Sequence, residues 1–132
     1  MRTQQIYCCG CTRDIIARLT NGREIYPHHE DLAEHPFWRC DECNNYVGCH
    51  HKTANRTRPL GNIPTPEIRG LRQDIHNVLD PLWRDGQYQR GEVYDKISSA
   101  IGRKYHTAGI RSVAEARTIF RVVNDIRREI TE

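Results

Sequence analysis

The chain has 132 residues, of which 37% are hydrophobic and 28% are charged. This length suits one compact domain, or a small metal-stapled module beside a small helical one. The net charge of +3 is too small to indicate a nucleic-acid partner by itself. No stretch approaches the roughly 20 apolar residues that span a bilayer, and the N-terminus lacks the apolar core of a signal peptide, so we expect a cytoplasmic protein without a membrane partner.

Four of the six cysteines form two pairs with the spacing of zinc knuckles, Cys8 with Cys11 and Cys40 with Cys43. A reducing cytoplasm favours a metal site over disulfides for such pairs. Together the pairs supply four sulfur ligands to one Zn²⁺, which leaves no open coordination position. The sequence therefore predicts one structural zinc ion held by these four thiolates.

Other candidate ligands flank the two pairs. His50 or His51 is an alternative to one of the cysteines, whereas Cys9 and Cys49 lack the knuckle spacing and are interpreted as spare thiols. Four zinc-bound thiolates and the ion together lower the net charge by two, to about +1. An argument for a nucleic-acid partner must therefore come from local basic patches.

Residues 1–51 are predicted to form a zinc ribbon, in which short antiparallel strands carry the two knuckles. Asn21-Gly22 lies between two short runs of β-forming residues, and we predict a β-hairpin there because this dipeptide suits a type I′ turn. The segment holds little apolar material, so metal binding is expected to supply much of its folding free energy. Further short strands are expected at 37–39 and 46–47.

Residues 52–66 contain proline and glycine without a periodic apolar pattern and are interpreted as a connector. Lys52, Arg56 and Arg58 follow two histidines and form a basic run. Such a run can bind phosphate groups with an affinity that depends on salt and not on base sequence. The alternative interpretation is a solvated linker.

Residues 67–132 show helical periodicity and are predicted to form a three-helix module on which the zinc ribbon packs, giving an α+β fold. Pro81 breaks or restarts the first helix, the second covers 91–103, and the third begins after the capping box Ser112-x-x-Glu115. Apolar residues at helical spacing are expected in the core: Ile68, Leu71, Ile75, Val78, Leu79, Val93, Ile97, Ala100, Ile101, Ile119, Val122, Val123, Ile126 and Ile130.

The third predicted helix carries a basic face. Arg117, Arg121 and Arg128 lie within a narrow arc opposite its apolar stripe. A basic helix face can lie along a duplex backbone or in a groove. The alternative is the ordinary solvent-facing side of an amphipathic helix, and nearby acidic residues weaken the positive potential.

The first predicted helix carries a group of polar residues beside its apolar stripe. His76 and Asp80 lie one turn apart, where a hydrogen bond can fix one imidazole tautomer as an acid–base catalyst requires. A nuclease that needs no metal is one interpretation. A structural polar network that holds the helices and the zinc module is preferred, because no nucleophile accompanies the group. The group on this helix consists of Arg69, Arg72, His76 and Asp80, and His106, which lies elsewhere in the chain, is assigned to the same network or site.

Several short motifs occur in a distinctive order along the chain: Tyr7-Cys8-Cys9-Gly10-Cys11, Trp38-Arg39-Cys40-Asp41-Glu42-Cys43, Tyr46-Val47-Gly48-Cys49-His50, Pro59-Leu60-Gly61 and Leu79-Asp80-Pro81-Leu82-Trp83, with Arg69, Arg72, His76, Arg90, Tyr94 and His106 as single matches. This order resembles a small family described as a zinc-finger-containing domain and encoded mainly by bacteriophages and prophages. The resemblance implies a zinc-bearing accessory protein that acts in the cytoplasm of a bacterial host. It implies no established activity and no catalytic residue.

We therefore expect a non-catalytic zinc protein that binds nucleic acid or a nucleic-acid-handling complex. An alternative function is a protein-interaction module that inhibits or redirects a host enzyme or defence complex. The residues expected to contact phosphate groups are Lys52, Arg56, Arg58, Arg117, Arg121 and Arg128.

Overall fold

The computed structural model describes residues 2–85 and 88–131. The side chain of Ile130, which the helical pattern assigns to the core, lies outside the described part. The chain divides into two compact units, Met1–Pro66 and Glu67–Glu132. The predicted α+β class is confirmed, because the first unit holds an antiparallel sheet and the second holds helices.

The first unit is built on a four-stranded sheet. Its strands are β1 (Thr3–Cys8), β2 (Arg13–Asn21), β3 (Pro36–Arg39) and β4 (Tyr46–Gly48). All neighbours are antiparallel, in the order β1-β2-β3-β4. The sheet thus consists of two hairpins, β1–β2 and β3–β4, and each hairpin turn is one of the cysteine knuckles, as expected of a zinc ribbon.

The core of the first unit lies on one face of this sheet. Alternation along the strands sends Ile15 and Ala17 into the core and leaves Ile16 between them exposed. The core is small, and several of its members are cysteines. It comprises Ile6, Cys8, Ile15, Ala17, Trp38, Cys40, Val47, Cys49 and Ile63.

The predicted hairpin at Asn21-Gly22 is wrong. β2 continues to Asn21, and helix α1 (Gly22–Ile25) follows it. The Asn21 side chain accepts a hydrogen bond from the Arg23 backbone amide at 3.0 Å, which makes it the N-cap of this helix. Glycine is required at position 22 by a close approach, since a Cβ atom there would lie 1.8 Å from the Leu32 carbonyl oxygen. Both residues of the dipeptide have a specific local role, but not in a hairpin turn. The asparagine caps a helix, and the glycine leaves room for the backbone of Leu32.

The segment 52–66, interpreted from sequence as a connector, lies within the first unit. The Leu60 amide donates to the Gly48 carbonyl at 2.9 Å, which adds a short antiparallel stretch beside β4. The Ile63 amide donates to the Tyr7 carbonyl at 2.8 Å, and the Ile63 side chain is fully buried. Backbone hydrogen bonds and one apolar side chain hold this segment, and neither leaves a periodic pattern in the sequence.

The second unit is helical. Its helices are α2 (Pro66–Leu79), α3 (Pro81–Arg84), α4 (Arg90–Ile101) and α5 (Val113–Thr131). Gly102 ends α4 with φ of 75°, a left-handed conformation that favours glycine. The Ser112 hydroxyl accepts from the Glu115 amide at 3.1 Å at the start of α5. In the described stretches, no helix has both the length and the apolar composition needed to cross a membrane.

The core of the second unit follows the predicted helical stripes. Ile75 and Leu79 of α2, Val93 and Ile97 of α4, and Val123 of α5 are fully buried. Leu71 and Val78 are half-buried, as are Ile101 of α4 and Val122 of α5. The prediction is wrong for Ala100, which is exposed on α4. This core is mainly aliphatic, with Tyr105 also buried, and contains no cysteine among its described residues.

Candidate metal centre

The first knuckle joins β1 to β2. Cys8 is the last residue of β1, and Cys11 lies in the turn, where Thr12 has a positive φ of 54°. Gly10 lets the two knuckles approach, because a Cβ atom at this position would lie 2.6 Å from the Asn45 amide nitrogen. The turn therefore presents two sulfur atoms toward the second knuckle.

The second knuckle follows β3. The Cys40 amide donates to the Asn45 carbonyl, and the Asn44 amide donates to the Cys40 carbonyl, each at 2.8 Å. Asn44 has a φ of 66°, which closes the turn. The Asn45 side-chain amide lies 3.2 Å from the Cys43 sulfur and donates to it. Such N–H donors stabilise a thiolate in a metal site.

The four sulfur atoms have the spacing of zinc ligands. The Sγ atoms of Cys8 and Cys43 lie 3.4 Å apart, and those of Cys11 and Cys40 lie 3.7 Å apart. All four ligand atoms lie within 4.8 Å of one another. Zn–S bonds of about 2.3 Å in a tetrahedron place sulfur atoms about 3.8 Å apart. The donor set therefore fits one Zn²⁺ with all four positions filled, which makes it a structural site.

Burial disfavours the charged thiolate form of Cys8 and Cys11 when no cation neutralises it. Burial raises the pKa of Cys8 to about 11. The pKa of Cys11 is also raised, first by desolvation and then by hydrogen bonds from the neighbouring thiols. At neutral pH these two sulfurs are therefore protonated without metal, and zinc binding must displace their protons.

The other cysteines and the two histidines lie outside this cluster. The Cys9 thiol donates to the Asn62 side-chain oxygen at 3.5 Å, and Cys49 is 4% exposed in the core. The His51 ring stacks on His35 with centroids 4.3 Å apart. Within residues 2–85 and 88–131, the only group of three or more candidate ligands is the four-cysteine cluster. The geometry thus favours cysteine over histidine at every position.

An ion-pair network that the sequence analysis missed covers the sheet beside the knuckles. Glu24 accepts hydrogen bonds from Arg18 at 2.6 Å and from Arg39 at 2.5 Å, and Arg18 also binds Asp41 at 2.9 Å. The Arg18 hydrogen bond is the main cause that lowers the pKa of Glu24 to about 2. Arg13 pairs with Glu42 in the second knuckle. The arginines of the sheet are thus neutralised by carboxylates.

The basic run lies in a loop that follows β4, and we call residues 50–58 the cationic loop. The His50 amide donates to the Arg58 carbonyl at 2.9 Å and closes the loop. Lys52, Arg56 and Arg58 are exposed. No described carboxylate forms an ion pair with any of these three residues.

The predicted basic face of α5 is exposed but uneven. Arg117, Arg121 and Arg128 are all exposed, and Asn124 between them is half-buried. The Arg128 side chain binds Asp125 at 2.7 Å, one turn away. The basic character of the face is therefore concentrated toward the first half of the helix.

The polar group of α2 contains two separate arrangements. Arg72 is buried, and its guanidinium donates to the Ile110 carbonyl at 2.6 Å, which ties α2 to the segment before α5. Asp80 lies 3.1 Å from the His76 ring and 3.2 Å from Arg84. Arg69 is half-buried on α2, and the exposed His106 precedes the turn Thr107–Gly109. The Arg72 contact is structural and lies within the second unit.

Comparison with known proteins places the chain in a family. No curated protein and no solved structure matches it significantly. The zinc-finger-containing domain family matches residues 4–128, which is most of the chain. The match includes all four ligand cysteines, so the geometry of the metal centre and the family agree. The chain belongs to the zinc-finger-containing domain family.

Proposed function

We propose that this zinc protein binds the phosphate backbone of nucleic acid without catalysis, through its cationic loop. The observation that carries the proposal is the contrast between two sets of cations in one unit. Arginines on the sheet are held by carboxylates, whereas Lys52, Arg56 and Arg58 are exposed and lack a described carboxylate partner. A cation whose charge no carboxylate neutralises keeps its electrostatic attraction for a phosphate group.

The backbone of the loop is organised for such a role. The Thr53 amide donates to the His50 carbonyl at 3.1 Å, and the Arg58 amide donates to the Asn55 carbonyl at 3.2 Å. The Arg56 side chain donates to the His51 carbonyl at 3.2 Å. These bonds limit the conformational entropy that the loop loses on binding. Arg117 and Arg121 of α5 are exposed cations that can contribute further phosphate contacts.

Three contacts predict modest, salt-dependent binding. Each phosphate that is neutralised contributes about −0.9 to the slope of log affinity against log salt for duplex DNA. Replacing Lys52, Arg56 and Arg58 by alanine should therefore remove most of the affinity at low salt and flatten the slope. Electrophoretic titration of DNA and RNA checks this, with Arg23→Ala as the control, because Arg23 is equally exposed but pairs with Glu34. The proposal is contradicted if the unaltered protein produces no electrophoretic shift of DNA or RNA at low salt.

A second candidate function is protein interaction. Ile16 is 66% exposed and Leu60 is 48% exposed, and both belong to the first unit. Apolar side chains exposed in this way can contact a protein partner such as a host enzyme or defence complex. Pull-down from a host lysate with nuclease separates the candidates. A partner that survives nuclease and is lost in Ile16→Ser and Leu60→Ser variants favours this second function.

We further propose that the protein is a phage or prophage accessory factor that acts in the host cytoplasm. This rests on the resemblance of its motif order to phage-encoded proteins. The genomic neighbourhood of the coding sequence tests it. Genes for phage structural or replication proteins on both sides support the assignment, and a neighbourhood of ordinary chromosomal genes argues against it.

A further inference from the structure

Trp38 connects the core of the first unit to the cationic loop. The residue lies in β3, is 1% exposed, and is among the largest fully buried side chains. Its indole N–H donates to the Thr57 carbonyl at 2.7 Å. Thr57 directly precedes Arg58, one of the three cations. One side-chain hydrogen bond therefore fixes the loop to the core, in addition to the His50–Arg58 backbone hydrogen bond that closes the loop.

We propose that Trp38 is a positioning residue that holds the cationic loop in its binding conformation and couples it to the zinc centre. This inference rests on the proposed function, since it concerns how the same loop binds nucleic acid. Trp38 itself is buried and contacts no ligand. It acts through the loop backbone.

One hairpin supplies the path between the two sites. Cys40 follows β3 two residues after Trp38, and Trp38 pairs with Val47 of β4. The zinc knuckle joins β3 to β4 at one end of this hairpin, and the cationic loop leaves β4 at the other end. Asn45 of the knuckle and His50 of the loop are five residues apart. At about 3.3 Å per strand residue, this corresponds to roughly 17 Å of extended chain. Zinc fixes the register of the hairpin, and this register holds the indole nitrogen 2.7 Å from the Thr57 carbonyl oxygen.

The coupling has thermodynamic consequences. A loop fixed before binding loses less conformational entropy when it meets phosphate groups. Loss of one neutral hydrogen bond corresponds to about a five-fold change in affinity. Since coupling between two ligands is reciprocal, bound nucleic acid should tighten zinc binding by the same factor that zinc tightens nucleic-acid binding.

Trp38→Phe keeps an aromatic ring in the core and removes the N–H donor. Its affinity for a DNA duplex should fall about five-fold at every salt concentration, while the slope of log affinity against log salt stays unchanged, because all three cations remain. Lys52→Ala should instead flatten the slope by about 0.9. Trp83→Phe, in the second unit, is the matched control and should leave affinity and slope unchanged.

Amide exchange gives a readout independent of nucleic acid. In Trp38→Phe the amides of Thr53 and Arg58 should exchange faster, while those of β1 and β2 keep their protection. A second variant preserves the shape of the tryptophan ring, in case phenylalanine disturbs the core. It carries benzothienylalanine, a tryptophan isostere with sulfur in place of the indole N–H, at position 38 in the Trp83→Phe background. It should reproduce both effects with full zinc content.

The outcomes separate this inference from the proposed function. If a position-38 variant keeps both its affinity for DNA and the exchange rates of the Thr53 and Arg58 amides, the positioning role of Trp38 is overturned. The proposed function is then left intact. A flattened salt slope in that variant also contradicts the positioning role, since the cations themselves would then be displaced. Absence of binding by the unaltered protein at low salt overturns both.

Discussion

The two units of this protein reach stability by different means. The first unit buries a small set of side chains that includes Cys8, Cys40 and Cys49, and gathers four thiols into a zinc site. The second unit buries aliphatic side chains along its helices, such as Ile75 and Ile97. A core of the first kind depends on metal, whereas a core of the second kind depends on apolar area. One chain of this length can therefore join a unit built around a metal site to a unit built around an apolar core.

Within the first unit, the sheet and the cationic loop differ in whether their cations are paired with carboxylates. Glu24 binds two arginines of the sheet, and these bonds serve the fold. The three cations of the cationic loop have no such carboxylate partner among the described residues. Ion pairing therefore separates the structural cations of this unit from those that we propose bind phosphate groups.

The largest expected effect is loss of a zinc ligand. Cys40→Ser should lower zinc content well below one ion per chain and unfold the first unit, because structural zinc supplies about 10 kcal/mol or more to small zinc modules. Metal analysis measures the zinc content. The emission of Trp38, buried in this unit, should shift to the red in a Trp83→Phe background.

Cys9→Ala is the matched control for that experiment. Cys9 is also buried and is adjacent to the ligand Cys8, but it lies outside the cluster. It should keep one zinc per chain with an unshifted emission. Full zinc content in Cys40→Ser would contradict the ligand assignment.

A cavity in the helical core should affect only the second unit. Ile75 is fully buried in α2, and Ile75→Ala should lower the free energy of unfolding of this unit by about 3 kcal/mol. Zinc content and affinity should stay unchanged. Denaturant titration followed by helix circular dichroism measures the first effect, with exposed Asn77→Ala as the control. Loss of zinc in Ile75→Ala would show that the two units are not energetically separate.

The pH dependence of zinc affinity sharpens the account of the metal centre. Burial raises the pKa of Cys8 to about 11 and also raises that of Cys11, and an unperturbed thiol has a pKa of about 8.5. Both thiols are therefore protonated near neutral pH whether the metal-free unit is folded or unfolded. Zinc binding should release at least two protons, and affinity should fall about a hundred-fold for each pH unit below neutrality. Chelator competition from pH 6 to 8 measures this. A slope of one proton or fewer would show that the thiols are already ionised.

The smallest effect is expected in the ion-pair network. Glu24 has its pKa lowered to about 2, chiefly by Arg18, so its stabilisation is complete above its unfolded pKa of about 4.3 and is lost as pH falls toward 2. Glu24→Gln should therefore cost about 1 kcal/mol, a cost independent of pH between 6 and 8. Urea titration of the zinc-loaded protein measures it, and Glu34→Gln, on an exposed pair, should cost less. Equal costs would remove the special role of Glu24.

Sequence alone was sufficient where a pattern is set by spacing. The knuckle spacing predicted the metal centre, and helical periodicity predicted the cores of α2, α4 and α5. It failed where a residue type has two uses, as at Asn21-Gly22, which suits a hairpin turn but caps a helix against Leu32. It also missed β1, whose polar residues precede the inward Ile6 and Cys8.

Long-range contacts account for the rest. Ile63 completes the core of the first unit through backbone bonds to Tyr7 and Cys9, which lie more than fifty residues earlier in the chain. The indole of Trp38 reaches Thr57 across a loop. No local pattern encodes such contacts, since they depend on where the folded sheet places each backbone group.

Residue-resolved amide exchange of the full chain, before and after zinc removal by a chelator, tests the division into two units most directly. Without zinc, amides in β1–β4 and in the cationic loop should lose protection, while those in α4 and α5 should keep theirs. Retained protection in the sheet without zinc, or equal loss of protection in the sheet and the helices, would contradict it.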